Sequence, residues 1–219
     1  MLPIIDRLSA GRELAGRLQD YADRDDVIVL ALPRGGVPVA AAIAEALHTP
    51  LDLMLVRKLG TPGQEELAMG AIATGGIRVM NDDVVSALGI SETAIEAEAA
   101  REQQELEQRQ HRYRGDRPLP DFRDKTVLLV DDGIATGATM RVAIHALRRQ
   151  EPASVVVITP VAPPDTVARL RREADEVICL ETPEPFMAIS QWYQHFPQTG
   201  DDEVIALLKR AWSRSADTA

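Results

Sequence analysis

The chain has 219 residues, 45% of them hydrophobic, a formal net charge of −10 and one cysteine. That length can bury one sizeable core, and so acidic a chain lacks the positive field that nucleic acid or an anionic membrane surface requires, so neither partner is expected. Cys179 alone makes no intrachain disulfide or multi-cysteine metal site, and no apolar run nears the ~18 residues of a membrane span, so a cytoplasmic protein is expected.

Helical and strand patterns alternate along the chain. Residues 9–21 place Leu14, Leu18 and Tyr21 on one helical face, with Ser9 as the expected N-cap. Residues 27–32 form a continuous aliphatic run, the mark of a strand covered on both faces. The small-residue stretch 37–47 predicts a helix lying close to a sheet, with Pro38 in its first turn. Further strands are expected at 51–56, 126–130, 154–160 and 176–180, and helices at 138–150 and 164–174. Strands alternating with helices predict an α/β fold: a doubly wound, mostly parallel sheet flanked by helices.

Three segments break the rhythm. Residues 57–81 are Gly-rich with two short β-like pieces, an excursion above the sheet. Residues 91–114 form a long charged helix whose apolar stripe is thin (Ile95, Ala99, Leu106, Tyr113), as in a solvated helix crossing the domain. The tail 183–204 holds Phe186, Trp192, Tyr193 and Phe196. With no internal repeat or linker, residues 1–219 are expected to form one domain carrying a small insertion.

The chemistry concentrates in "VLLVDDGIATGATM", residues 127–140. A buried strand has no use for two adjacent carboxylates at its end. In an open parallel sheet that end is where ligands bind. A loop of small residues then enters a helix near Ala138, where free N–H groups and the helix dipole suit a phosphate. Asp131 and Asp132 cannot bind phosphate but suit hydroxyls or a Mg²⁺ ion. A Walker A loop is excluded, because no Lys follows the glycines. The dinucleotide fingerprint is excluded too, because no G-x-G-x-x-G follows a strand.

The stretch resembles the PRPP-binding signature of the type I phosphoribosyltransferases, and the likeness covers nearly the whole chain. It implies a core of that family's type with a hood or flap from about 59–80 and 183–200. It also implies Asp131 and Asp132 on the ribose hydroxyls of PRPP, with any metal contact indirect. Ala135, Thr136, Gly137, Ala138 and Thr139 would wrap the 5′-phosphate. "ALPRGGVPVA" (31–40) sits where relatives carry their pyrophosphate loop, which assigns Arg34, Gly35 and Gly36 to the diphosphate. The basic pair Arg57 and Lys58 would join them as pyrophosphate-binding and catalytic residues, converging positive charge on a polyanion in an acidic protein. Ala135 stands where 6-oxopurine-specific relatives have an acid, so that subclass is not expected. Trp192 and Phe186 are candidates to stack on a planar acceptor, and Glu65 or Glu66 to meet its proton. "LPRGGVPVA", "VRKLG" and "VDDGIATGATM" are shared with a group of predicted phosphoribosyltransferases of unassigned acceptor. The expected activity is Mg²⁺-dependent transfer of 5-phosphoribosyl from PRPP to a small-molecule nitrogen nucleophile, with a PRPP-sensing regulator as the alternative. A homodimer is left open.

Overall fold

The computed structural model describes residues 4–217. Five parallel strands form the central sheet: β1 (Val27–Ala31), β2 (Leu51–Leu53), β6 (Thr126–Val130), β7 (Ser154–Val161) and β8 (Glu176–Glu181), in the order β2-β1-β6-β7-β8. All five expected strands are present, though the one expected over 51–56 ends at Leu53 and Val56 opens a strand of a second sheet; every residue of β1 and β6 is buried, as their unbroken aliphatic runs require. Helices α1 (Arg7–Gly16), α2 (Gly36–Leu47), α5 (Ala138–Arg148), α6 (Pro164–Leu170) and α7 (Asp201–Asp217) cover the faces, one apolar cluster lying on each side of the sheet.

The departures from expectation are local. Helix α1 starts at Arg7, not after Ser9, because Asp6 is its N-cap. The Asp6 carboxylate accepts from the Ser9 amide at 2.7 Å and Ser9 Oγ accepts from the Asp6 amide at 3.0 Å, a reciprocal cap. The 57–81 excursion is a three-stranded antiparallel sheet, β3 (Val56–Thr61), β4 (Gln64–Ala73) and β5 (Ile77–Met80). A short helix α3 (Asp82–Leu88) follows it, and then α4 (Glu92–Arg114).

The 23-residue helix α4 is not merely solvated. Ile95, Ala99, Leu106 and Tyr113 are all buried, so the thin stripe is a packing seam. Its C-terminal end is pinned to β2 by a buried ion pair, Arg114 to Asp52 at 2.8 and 3.1 Å, with Arg114 also donating to the Leu53 carbonyl. Burial raises the Asp52 carboxyl and lowers the Arg114 guanidinium from their usual values, so the pair is held against a desolvation cost.

Candidate active site

Chain order reverses across the sheet between β1 and β6. From β1 the chain proceeds to β2 on one side, and β6, β7 and β8 lie on the other. Such a switch point opens a crevice beyond the strand ends, and both sequence-assigned loops lie there. Ala31 pairs with Val130 in parallel register, so residues 32–36 and 131–137 leave the sheet side by side.

The loops touch. A Cβ on Gly35 would lie 1.9 Å from Asp132 Oδ2, and one on Gly36 would lie 2.8 Å from the Val130 carbonyl oxygen. Glycine is therefore needed here for close approach of the two loops, and the Gly36 amide is spent on the Leu32 carbonyl at 3.1 Å. The Pro33–Arg34 peptide is cis. Gly137, at φ 78°, takes the left-handed conformation that turns the second loop into α5. The Ala135 carbonyl accepts from Thr166 Oγ1 at 2.8 Å, while the amides of Ala135, Thr136 and Gly137 have no acceptor among the described residues. Ala135, Thr136, Ala138 and Thr139 are exposed. The loop is thus fixed from behind and open in front, an arrangement able to receive an anion.

The two carboxylates differ. Asp132 is buried and receives Arg7 Nε at 2.7 Å. Arg7 in turn donates to the Pro197 carbonyl at 2.6 Å and lies over the Phe196 ring at 3.8 Å. Asp132 therefore has a structural partner that sequence reading missed, 125 residues away. Asp131 has no salt bridge among the described residues and accepts the Asp132 amide at 2.9 Å. Burial, and then the Asp132 charge, raise its carboxyl well above the ordinary aspartate range. Such a group gains from a hydroxyl donor or a cation brought by a ligand.

The basic residues are divided. Arg34 lines a cleft of about 630 Å³ between its loop, α4 and the start of α7, and its guanidinium lies 3.6 Å from Asp201. Arg57 turns to Glu102 on α4 at 2.7 Å and lines a small cavity with Pro33 and Thr139. Lys58 lines neither space. It is exposed, with Nζ 3.5 Å from the Glu66 carboxylate, so the structure does not bring it together with Arg34. Glu65 and Glu66 are exposed on β4.

The two segments grouped as a hood rest on different supports. The β3–β5 sheet packs on α4 and α5. The tail packs on Ala10 and Val161, sets Ile189 against Gly133, and donates the Tyr193 hydroxyl to the Asp132 carbonyl at 2.6 Å. Phe186 and Trp192 stack on each other at 6.4 Å in this tail and line neither the cleft nor the small cavity. Burial pushes the Cys179 thiol up to about 11, and its S–H donates to the Glu181 carbonyl, as an inert thiol would. No helix among the described residues is long and apolar enough to cross a membrane.

Comparison with known proteins agrees with this fold. Residues 4–193 match the phosphoribosyl transferase domain family. Provisionally named phosphoribosyl transferases of Mycobacterium tuberculosis, from strains H37Rv and CDC 1551, are each 48% identical over 206 residues, covering 94% of this chain and 46% of theirs. The chain thus spans about half the length of these curated relatives. The crystal structure of TT1426 from Thermus thermophilus superposes with a TM-score of 0.84 at 40% identity, covering 95% of this chain and 99% of that one. The AQ2163 protein of Aquifex aeolicus shares the fold at a TM-score of 0.50 and 13% identity, over 92% of this chain and 86% of that one.

Proposed function

The chain belongs to the phosphoribosyl transferase family, and from that premise we propose that it moves the 5-phosphoribosyl group of PRPP to a nitrogen nucleophile, a nucleobase, releasing pyrophosphate. In that reaction the C1–O bond to the diphosphate breaks, its electron pair leaves with pyrophosphate, and a C1–N bond forms as the acceptor nitrogen gives its proton to the departing pyrophosphate or to water. The observation that carries the reading is the direct contact of the Gly35–Gly36 loop with Asp131 and Asp132, since PRPP presents its ribose hydroxyls beside its diphosphate.

Each element has a matching task. The open amides of residues 135–137, with Thr136 and Thr139, receive the 5′-phosphate. Asp131 takes the ribose hydroxyls, and Asp132, held by Arg7, fixes the loop against Gly35. Arg34 and the Gly35 amide, which has no acceptor among the described residues, take the diphosphate, and Arg57 joins them on leaving Glu102. Lys58, on the exposed β3–β4 hairpin, reaches the diphosphate only if that hairpin moves inward, which would also shield the oxocarbenium-like sugar from water. The tail bearing Phe186 and Trp192 borders Gly133 through Ile189 and forms the acceptor side.

The donor set fits Mg²⁺ carried on its substrate. Two adjacent carboxylates, one without a cationic partner, supply what Mg²⁺ takes from a protein when phosphates and water complete its shell. Asp131 and Asp132 would hold it through ribose hydroxyls or water, and the ion would neutralise charge on the departing diphosphate. The test is to incubate the protein with PRPP, Mg²⁺ and purine, pyrimidine or pyridine acceptors and measure pyrophosphate. Acceptor-dependent release supports transfer. PRPP binding with no release from any acceptor would favour a sensor instead.

A further inference from the structure

Helix α4 supplies one wall of the cleft beside Arg34 and has no part in the proposed reaction. Arg109 lies on that wall, exposed, with no hydrogen-bond or ion-pair partner among the described residues. It also lines the small cavity shared by Arg57 and Thr139, so it stands where the two spaces meet beside Pro33. The other cations of the cleft are engaged: Arg112 pairs with Asp201 at 2.7 Å and Arg34 approaches the same carboxylate at 3.6 Å. Asp201 also receives the Tyr113 hydroxyl at 2.6 Å, so it does not compete for Arg109. Glu105 lines the cleft one turn earlier on α4 and makes no ion pair with Arg109.

The position of Arg109 is held from both sides. Glu102 ties the middle of α4 to Arg57, Arg114 ties its end to Asp52, and Leu106 is buried between them. On so fixed a backbone only side-chain freedom is lost when the guanidinium meets a ligand, and its fork matches phosphate oxygens. We infer that Arg109 is a diphosphate-contacting residue, supplied by the long helix rather than by either strand-end loop. This rests on the transferase reading and deepens it. Arg109 lines the cleft together with Pro33 and Arg34, so its ligand is the diphosphate end of PRPP and the pyrophosphate product. Because negative charge builds on that group as it leaves, the contact strengthens toward the transition state.

The test is calorimetric titration of wild type, Arg109→Ala, Arg109→Lys and the distant control Arg123→Ala with pyrophosphate, Mg²⁺–PRPP and ribose 5-phosphate. Arg123 is exposed and pairs only with Glu151 at 3.5 Å, so its loss changes net charge equally without touching the cleft. Arg109→Ala should weaken pyrophosphate and PRPP by roughly ten- to a hundredfold and leave ribose 5-phosphate unchanged. Arg109→Lys should recover part of the loss, and Arg123→Ala should behave as wild type. Unchanged pyrophosphate affinity in Arg109→Ala, equal weakening of ribose 5-phosphate, or an equal loss in Arg123→Ala would each overturn the assignment. If wild type binds neither PRPP nor pyrophosphate, the transferase reading itself falls, which is distinct from a failure confined to Arg109.

Discussion

The loops at the ends of β1 and β6 and the helix α4 that faces them are built from opposite materials. The loops work with backbone. Gly35 and Gly36 press against Asp131 and Asp132 at the end of the neighbouring strand β6, and residues 135–137 present bare amides. Helix α4 works with long side chains, clamped by Arg114–Asp52 and Arg57–Glu102 so that Arg109 and Arg112 project over the cleft. A site formed by backbone is hard to alter without moving its neighbours, while one formed by long side chains can change at single positions. In the proposed reaction, ribose and phosphate accordingly fall to the loops, and α4 adds charge at the diphosphate.

The largest expected effect lies beneath α4. Asp52→Ala leaves the Arg114 cation buried without its carboxylate and should cost about 3–5 kcal/mol in chemical denaturation. It should also weaken pyrophosphate binding by loosening α4, while the loops keep their affinity for ribose 5-phosphate. Equal loss of both ligands would mean the two walls are not separable.

Next is Gly35→Ala. Its methyl must displace the Asp132 carboxylate or the loop, an overpacking of about 1–3 kcal/mol. Calorimetry should show PRPP binding lost even where melting shows the protein folded. Normal PRPP affinity would show that the loops do not need this contact.

Asp131→Asn should behave in the opposite sense, removing function while adding stability. Burial and Asp132 raise the Asp131 carboxyl, so the folded protein keeps a proton that the unfolded chain has already released. Stability contributed by this group therefore falls as pH rises from the ordinary aspartate range, about pH 4, to the raised folded value, and stays lower above it. The Asn variant should melt above wild type at pH 8 without Mg²⁺, and equally with it below about pH 4. A lower melting temperature at pH 8 would mean the carboxylate is stabilising.

The smallest effect belongs to the exposed hairpin. Glu66→Ala removes a fully exposed partner from Lys58, and solvent screening leaves such a pair with little to contribute, so the urea-denaturation midpoint should stay at its wild-type value. A clear drop in the midpoint would mean the hairpin is docked rather than open.

What the sequence discloses follows the same division. The loops are legible because their chemistry is local. Adjacent Asp131 and Asp132 at the end of an aliphatic strand, followed by Gly137 before a helix, state their use within ten residues. The central strands are legible for the same reason, since burial on both faces leaves no polar alternation. Helix α7 lies outside the expected elements although it carries a signal: Asp201, Asp202 and Glu203 in its first turn, then Val204, Leu208 and Ala211 on one buried face. Arg7 and Arg109 carry none. Arg7 meets Asp132 only through the tertiary fold, and Arg109 is one of many charges on α4 until Leu106 and Arg114 fix which side faces the cleft.

The most direct measurement is a titration of PRPP into the wild-type protein, with and without Mg²⁺, repeated on Asp131→Asn. The strand-end loops should give one binding site per chain that requires Mg²⁺ and is lost in the variant, while the variant still binds ribose 5-phosphate through the open amides of residues 135–137. Mg²⁺-independent binding of equal strength in both proteins, or no binding to wild type, would contradict the assignment of these loops to PRPP.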